Sequence, residues 1–187
     1  MAIRIFIDQG HNPVNPNAGA EGNGLREQDI TYDIGIRLAA LLRADPEFDV
    51  RTSRTDPNEI LGTSNASSLA ARVRAANSWP ADYFISLHCN ASTVPSANGS
   101  EAYVYRLQSQ GAYLAERIVS ALSEATGMQD RGVFARPSLY VLRRTAMPAT
   151  LVEMGFITNS NDAYILSQTP DTVARGIYNG ILDYFGM

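Results

Sequence analysis

The 187-residue sequence predicts an α/β fold built on a largely parallel β-sheet. Short apolar runs with strand character alternate along the chain with longer segments in which apolar residues recur at helical spacing. Ile3, Ile5 and Ile7 fall on one face of the first strand and Phe6 adds to the other, as expected for a strand buried by helices on both sides. No repeat, linker or low-complexity tract divides the chain, so we expect one domain over residues 1–187.

The strands and helices can be assigned in chain order. Strands are predicted at residues 3–7, 48–54, 82–88, 101–106, 140–143 and 149–153, and helices at residues 31–43, 67–77, 113–126 and 170–184. Asp45-Pro46 ends the first helix and Gly127 closes the third. Thr169 before Pro170 is typical of a helix start. In the second helix we expect alanines and a leucine inside and the arginines outside.

Composition excludes several classes of protein. The net charge is −4 and no stretch collects lysine and arginine, which argues against a nucleic-acid partner. The single cysteine, Cys89, cannot form an internal disulfide. No apolar segment approaches the length of about 20 residues that crosses a bilayer, so no membrane insertion is expected. The first residues carry no visible export signal, and we expect a monomer.

Three strand ends carry residues that suggest metal chemistry. His11 and His88 are the only histidines, and each lies at or just after the end of a predicted strand, as does Glu153. Ligands of an open parallel sheet collect beyond the carboxyl ends of its strands, so these side chains are expected to meet. Two imidazoles and a carboxylate can hold a catalytic zinc ion. On this reasoning Glu153 is a ligand, and Glu21 or Glu27 supplies the base.

Simpler interpretations stand beside this one. Either histidine alone can be structural, and Glu153 can form an ion pair with Arg143 or Arg144. A cysteine hydrolase is disfavoured because His88 and Cys89, as successive strand residues, project to opposite faces. Cys89 is therefore expected to be a small core residue.

Several motifs in order carry a resemblance that covers nearly the whole chain. They are IDQGHNP, NAGAEGNGLREQD, RTSRTD, LAARVRAAN, ADYFISLHCNAS, GSEAYVY, SLYVLRRTAMP and MPATLVEMGFITN. In order and spacing they resemble the zinc-dependent N-acetylmuramoyl-L-alanine amidases of the Amidase_3 type.

The resemblance implies a fold, a site and an activity. The implied fold is a mixed, largely parallel, six-stranded twisted sheet with helices on both faces. His11, Glu27 and His88 are implied to hold one Zn²⁺, with Glu27 identified by the segment GLRE, and Glu153 is implied to be catalytic. The implied substrate is bacterial peptidoglycan, cut at the cell wall between the lactyl group of N-acetylmuramic acid and L-alanine, as an autolysin or endolysin does.

Other residues near the site are given supporting roles. Asp8 or Glu101 could accept the second N–H of a metal-bound imidazole. Asn90 shares the face of His88, and Arg143 could meet a carboxylate of the stem peptide. Two other functions stay open: a zinc peptidase that cuts within the stem peptide, and a module that binds muropeptides without cutting them.

Overall fold

The computed structural model describes residues 2–187 and contains a six-stranded mixed sheet with helices on both faces. The elements are β1 (Ile3–Gln9), β2 (Glu21–Gly22), β3 (Leu25–Arg26), α1 (Glu27–Arg43), β4 (Phe48–Thr52), α2 (Asn65–Ser78), β5 (Tyr83–Asn90), β6 (Ser100–Val104), α3 (Gln110–Thr126), β7 (Asp130–Ala135), α4 (Tyr140–Arg144), β8 (Ala149–Phe156), α5 (Ser160–Gln168) and α6 (Pro170–Phe185). The predicted fold class is confirmed.

The strand order places the predicted strand ends side by side. The large sheet runs β4-β1-β5-β8-β6-β7. The first four strands are parallel to one another, whereas β6 is antiparallel to β8 and parallel to β7. The carboxyl ends of β1, β5 and β8 therefore lie next to one another, together with the amino end of β6. The strands β2 and β3 form a separate short hairpin before α1.

Each face of the sheet has its own apolar core. Ile5, Ile85 and Val152 belong to a cluster that includes buried side chains of α1, α3 and α6. On the other face, Phe6 and Phe84 stack with ring centroids 5.8 Å apart and pack with residues of α2 and α4. Alternate residues of one strand therefore pack into two different cores, as the apolar residues on both faces of the first predicted strand indicate. Within residues 2–187, no helix is long and apolar enough to span a membrane.

The predicted strand at residues 140–143 is wrong, because these residues form the short helix α4. The segment has only two buried apolar residues, the adjacent Val141 and Leu142. Two adjacent apolar residues are compatible with both the period of a strand and that of a helix. The sixth strand of the large sheet is instead β7. The sequence analysis missed β7, the two short strands β2 and β3, and the helix α5. The strand β7 lies at the sheet edge and has no fully buried residue, so it lacks the apolar alternation that marks a strand.

Candidate metal centre and active site

Three side chains from distant parts of the chain converge at the carboxyl ends of β1 and β5. His11 follows β1, Glu27 is the first residue of α1, and His88 lies near the end of β5. Oxygen Oε1 of Glu27 lies 3.1 Å from Nε2 of His11 and 3.1 Å from Nδ1 of His88. The three groups that the resemblance implies as ligands are therefore neighbours.

The arrangement fits a single cation with one position left open. One ligand atom from each of the three residues lies within 4.8 Å of the others. Bonds of about 2.0–2.2 Å in a tetrahedral zinc site separate the ligand atoms by about 3.4 Å, so the observed 3.1 Å pairs need little adjustment. Catalytic zinc sites use three protein ligands in this way and keep the fourth position for water or substrate.

Backbone amides hold the Glu27 carboxylate in place. The N–H of Cys89 donates to Oε1 at 2.9 Å, and the N–H of Ala20 donates to Oε2 at 2.8 Å. Burial by itself raises the pKa of Glu27, but hydrogen bonds and charge interactions with His11 and His88 lower the pKa well below its ordinary value. The group is consequently a preformed anion that faces both imidazoles.

Two glycines allow the ligand side chains to approach the backbone closely. A Cβ at Gly10 would lie 2.5 Å from Cε1 of His88, and a Cβ at Gly19 would lie 2.7 Å from Oε2 of Glu27 and 2.9 Å from Cδ2 of His11. His11 itself has a φ of 68°, in the left-handed region that non-glycine residues rarely adopt. This loop is shaped by packing against the ligand side chains.

A buried ion pair lies beneath the His11 loop. Arg72 of α2 is 1% exposed, and its guanidinium donates to Oδ1 of Asp8 at 2.7 Å and to the carbonyl oxygens of Gln9 and His11. Asp8 also accepts a hydrogen bond from the Ser86 hydroxyl at 2.7 Å. Although burial raises the pKa of Asp8, the charge and hydrogen bonds of Arg72 hold it below its ordinary value. The ion pair thus ties the backbone of a proposed ligand to the sheet and to α2.

The prediction that the arginines of this helix point outward is wrong for Arg72. Its neighbour Arg74, two positions along α2, is exposed. Helical spacing alone does not distinguish an arginine that meets solvent from one that meets a buried aspartate. The signal that could have identified Arg72 is Asp8, a carboxylate inside a buried strand, which requires a partner.

Glu153 lies beside the cluster, on the neighbouring strand β8. Its backbone pairs with His88 of β5 on one side and with Glu101 of β6 on the other. Paired residues project to the same face of a sheet, so the three side chains are adjacent. Oxygen Oε2 of Glu153 is buried and has no hydrogen-bond partner within residues 2–187. Burial, and then the charges of Glu27 and Glu101, raises the pKa of Glu153 to about 8.

Glu101 is the centre of a hydrogen-bonded group next to Glu153. It accepts from Nδ2 of Asn90 at 2.9 Å, from the Tyr103 hydroxyl at 2.5 Å and from Nε of Arg131 at 2.6 Å. Burial and this interaction with Glu101 raise the pKa of Tyr103 to about 12. The structure therefore brings Asn90 and Glu101 to the site, with Arg131 compensating the charge of Glu101.

The remaining predicted residues lie elsewhere or have different partners. Neither Asp8 nor Glu101 hydrogen-bonds an imidazole, and Nδ1 of His11 is buried without a partner within residues 2–187. Cys89 is buried in the core on the opposite face, and burial raises the pKa of its thiol, which agrees with the prediction of a core residue. Arg143 is exposed on α4 and lines a cavity that none of the metal-site residues reaches.

Comparisons with known proteins identify the family of the chain. Residues 5–183 match the Amidase_3 family, which is described as N-acetylmuramoyl-L-alanine amidase. The chain is 39% identical to N-acetylmuramoyl-L-alanine amidase LytC of Bacillus subtilis over 97% of its own length and 35% of the relative. It is 35% identical to N-acetylmuramoyl-L-alanine amidase CwlM of Bacillus licheniformis, covering 99% of its own length and 70% of the relative.

A solved structure shows the same similarity. The crystal structure of N-acetylmuramoyl-L-alanine amidase from Clostridium difficile 630 superposes with a TM-score of 0.86 at 31% identity, covering 99% of this chain and 97% of that one. The chain spans about a third of the length of the Bacillus subtilis relative and about 70% of the Bacillus licheniformis one.

Proposed function

Because the chain belongs to the Amidase_3 family of N-acetylmuramoyl-L-alanine amidases, which are hydrolases, we propose that it hydrolyses bacterial peptidoglycan at the cell wall. The bond is the amide between the lactyl group of N-acetylmuramic acid and the L-alanine of the stem peptide. The observation that carries the proposal is the convergence of His11, Glu27 and His88 beside the unpartnered carboxyl group of Glu153. The cofactor proposed for this donor set is one Zn²⁺ ion.

The donor set determines what the chain can contribute to the reaction. When bound by His11, Glu27 and His88, a zinc ion would polarise the amide carbonyl and lower the pKa of a water molecule. Glu153, whose buried Oε2 has no hydrogen-bond partner within residues 2–187, accepts the proton of the attacking water as the new C–O bond forms. The same carboxyl group then delivers that proton to the departing L-alanine nitrogen as the C–N bond breaks. The products are the lactyl carboxylate and a free amino terminus on the peptide.

The surroundings of the two carboxyl groups differ in the metal-free protein, and this difference supports the assignment. Burial and two neighbouring carboxylates raise the pKa of Glu153 to about 8, whereas interactions with the two histidines lower that of Glu27. The two carboxylates are thus suited to different roles, one as a ligand and one as a proton carrier.

The proposal is tested by digesting purified peptidoglycan with zinc-loaded protein and identifying the products by mass spectrometry. We expect peptides that begin with a free L-alanine and glycan strands that keep an intact lactyl group. Glycan that still carries amino acids would instead identify a zinc peptidase, and no product at all would favour a binding module.

A variant of the proton carrier separates the catalytic role from metal binding. Replacement of Glu153 by glutamine keeps the size of the side chain but removes the proton acceptor, so hydrolysis should fall by about 10²- to 10⁴-fold. Metal content, measured by elemental analysis, should remain that of the wild type. Loss of the metal in Glu153→Gln would assign this residue as a ligand.

A further inference from the structure

A buried arginine without a counter-ion lies next to the first turn of α1. Arg54 follows β4, and its side chain is 1% exposed. No ion pair within residues 2–187 uses Arg54, and its Nε atom is buried without a hydrogen-bond partner in that part of the chain. Burial and the charge of Arg72 lower the pKa of Arg54 to about 10, so the group stays protonated at neutral pH. The protein therefore keeps an interior cation that has no directly bonded carboxylate.

The position of this cation is unfavourable for folding. A buried charge without an ionic partner costs folding free energy. A cation at the N-terminal end of a helix also opposes the helix dipole, whose positive end lies there. Arg54 meets both conditions, because its Nη2 atom donates to the carbonyl oxygen of Gln28, the second residue of α1, at 2.8 Å. Folding stability alone does not account for Arg54, so the contacts that it makes point to a functional role.

The first turn of α1 is held by contacts from outside the helix. Its N-cap residue, Arg26, makes no side-chain capping hydrogen bond. The backbone N–H of Glu27, a proposed metal ligand, donates to the carbonyl oxygen of Ala20 at 2.9 Å. The hydrogen bond from Arg54 to Gln28 is a second restraint on this turn, and hydrogen bonds from a charged donor are stronger than neutral ones. The orientation of the turn that carries the ligand therefore depends in part on Arg54.

The guanidinium group of Arg54 is itself fixed by its neighbours. Its Cζ atom lies 5.0 Å from the centroid of the Tyr32 ring. Tyr32 comes four residues after Gln28, so the two residues share one side of α1. The backbone N–H of Arg54 donates to Oε1 of Gln9, the last residue of β1, at 2.9 Å. Arg54 thus connects the strand that leads to one proposed ligand with the helix that carries another.

The loop that begins with Arg54 also contacts the segment of His11. The N–H of Leu61 donates to Oδ1 of Asn12 at 3.1 Å, and Nδ2 of Asn12 donates back to the carbonyl oxygen of Leu61 at 3.1 Å. Asn12 is adjacent to His11 in the chain. The loop after β4 therefore contacts two of the three proposed ligand segments, one through Arg54 and one through Leu61.

We propose that Arg54 is a positioning residue for the metal ligand Glu27, which it holds through the carbonyl group of Gln28. The inference rests on the proposed metal centre and adds to it a buried cation behind the helix turn that carries the ligand. The hydrogen bond of Arg54 restrains the first turn of α1 and so keeps the Glu27 carboxylate facing the two imidazoles. Loss of a residue that supports a metal ligand typically lowers metal affinity by about 10- to 100-fold.

Arg54→Met separates positioning of the ligand from folding stability. Methionine is also a long, unbranched side chain but has no charge, and the carbonyl oxygen of Gln28 keeps the helical N–H of Tyr32 as a partner. We expect the urea midpoint of metal-free Arg54→Met to stay at or above that of the wild type, because an unpaired buried charge is removed. The zinc affinity of the folded protein, measured by competition with a chelator, should nevertheless fall about tenfold.

Cobalt substitution measures the geometry of the site directly. The visible absorption of protein-bound Co²⁺ depends on its coordination, so the bands of Arg54→Met at saturating Co²⁺ should differ from those of the wild type. Arg51→Met is the matched control. Arg51 is an exposed residue of β4 whose Cζ atom lies 4.9 Å from the centroid of the Trp79 ring, so the variant also removes an arginine that stacks on an aromatic ring. It should keep the zinc affinity and the cobalt spectrum of the wild type.

The outcomes separate this inference from the proposed metal centre. If Arg54→Met binds zinc as tightly as Arg51→Met and has the wild-type cobalt spectrum, the role of Arg54 is overturned. Wild-type protein that binds neither zinc nor cobalt would overturn the metal centre itself. If Arg54→Met yields no folded protein, Tyr32→Leu removes the ring beneath the guanidinium and leaves the charge in place. A lower zinc affinity of Tyr32→Leu would support the inference, and an unchanged affinity would overturn it.

Discussion

Replacement of Arg72 by methionine should destabilise the protein and weaken its proposed metal site. The substitution keeps much of the side-chain volume but leaves Asp8, which is 1% exposed, without its charged partner. Removal of one partner from a buried ion pair costs about 3–5 kcal/mol of folding free energy. We therefore expect Arg72→Met to lower the free energy of unfolding by about this amount at neutral pH.

The loss of folding free energy caused by Arg72→Met should become smaller as the pH falls. The pKa of Asp8 is held below its ordinary value by Arg72, so the ion pair stabilises the fold above the pKa of the unfolded chain. That stabilisation is lost as pH falls through the pKa of the folded state. The difference between wild type and Arg72→Met should consequently shrink below about pH 4, the ordinary range of an aspartate pKa.

The same substitution should affect the metal because Arg72 also binds the carbonyl oxygen of His11. Without this donor, the left-handed backbone at His11 loses a restraint, and zinc affinity should fall by about tenfold, the lower end of the range for residues that support a metal ligand. Urea denaturation measures the stability, and competition with a chelator measures the affinity of the folded protein.

Val73→Ala is the matched control for this experiment. Val73 is the next residue of α2, is buried on the same side of the sheet, and has no contact that fixes the His11 backbone. The control should lose stability by roughly 1–3 kcal/mol and keep zinc affinity. The reasoning would be refuted if Arg72→Met were as stable as the wild type, or if it bound zinc as tightly as Val73→Ala does.

Three further predictions concern other parts of the site. In metal-free protein, the pKa of Glu153 near 8 means that the folded state keeps a proton that the unfolded chain releases near its ordinary value. The free energy of unfolding of the wild type should therefore fall between about pH 5 and about pH 8, by up to about 1.4 kcal/mol per pH unit, whereas that of Glu153→Gln should not. The same pH dependence of both proteins in urea denaturation would contradict this prediction. Cys89→Ala should retain hydrolysis and zinc content because the thiol lies on the opposite face, and loss of activity at unchanged zinc content would revive a cysteine mechanism. Gly19→Ala places a methyl group against Glu27 and His11 and should lower zinc affinity in a chelator competition. Gly24→Ala adds a methyl group that meets no other atom, although the φ of 75° at this position makes alanine strained, so this variant should lose some folding stability and keep the zinc affinity of the folded protein.

The alternation of strands and helices could be predicted because the apolar periods along the chain are clear. The isoleucines of β1 and the run that forms β8 mark buried strands without reference to the rest of the molecule. The elements that were missed or misassigned lack such a period: β7 is an edge strand without a buried residue, and α4 has five residues. Packing against the rest of the fold, and not local pattern, determines both.

The candidate site was only partly accessible to the same reasoning. The rule that ligands collect at the carboxyl ends of strands brings His11, His88 and Glu153 together. It does not predict whether Glu21 or Glu27 reaches the site, because the position of both residues depends on a loop of irregular backbone. Glu27 is the first residue of α1, and its orientation is set by amide donors of Ala20 and Cys89 that no periodicity reveals. The resemblance to a family supplied this assignment, and the structure supplies its physical basis.

The most direct test is a crystal structure of zinc-loaded protein with anomalous diffraction recorded on both sides of the zinc absorption edge. We predict one anomalous peak, bonded to Nε2 of His11, Nδ1 of His88 and a carboxylate oxygen of Glu27, with the Glu153 carboxyl group facing its open position. A peak bonded to other atoms, or a zinc ion that takes Glu153 in place of Glu27, would contradict the account.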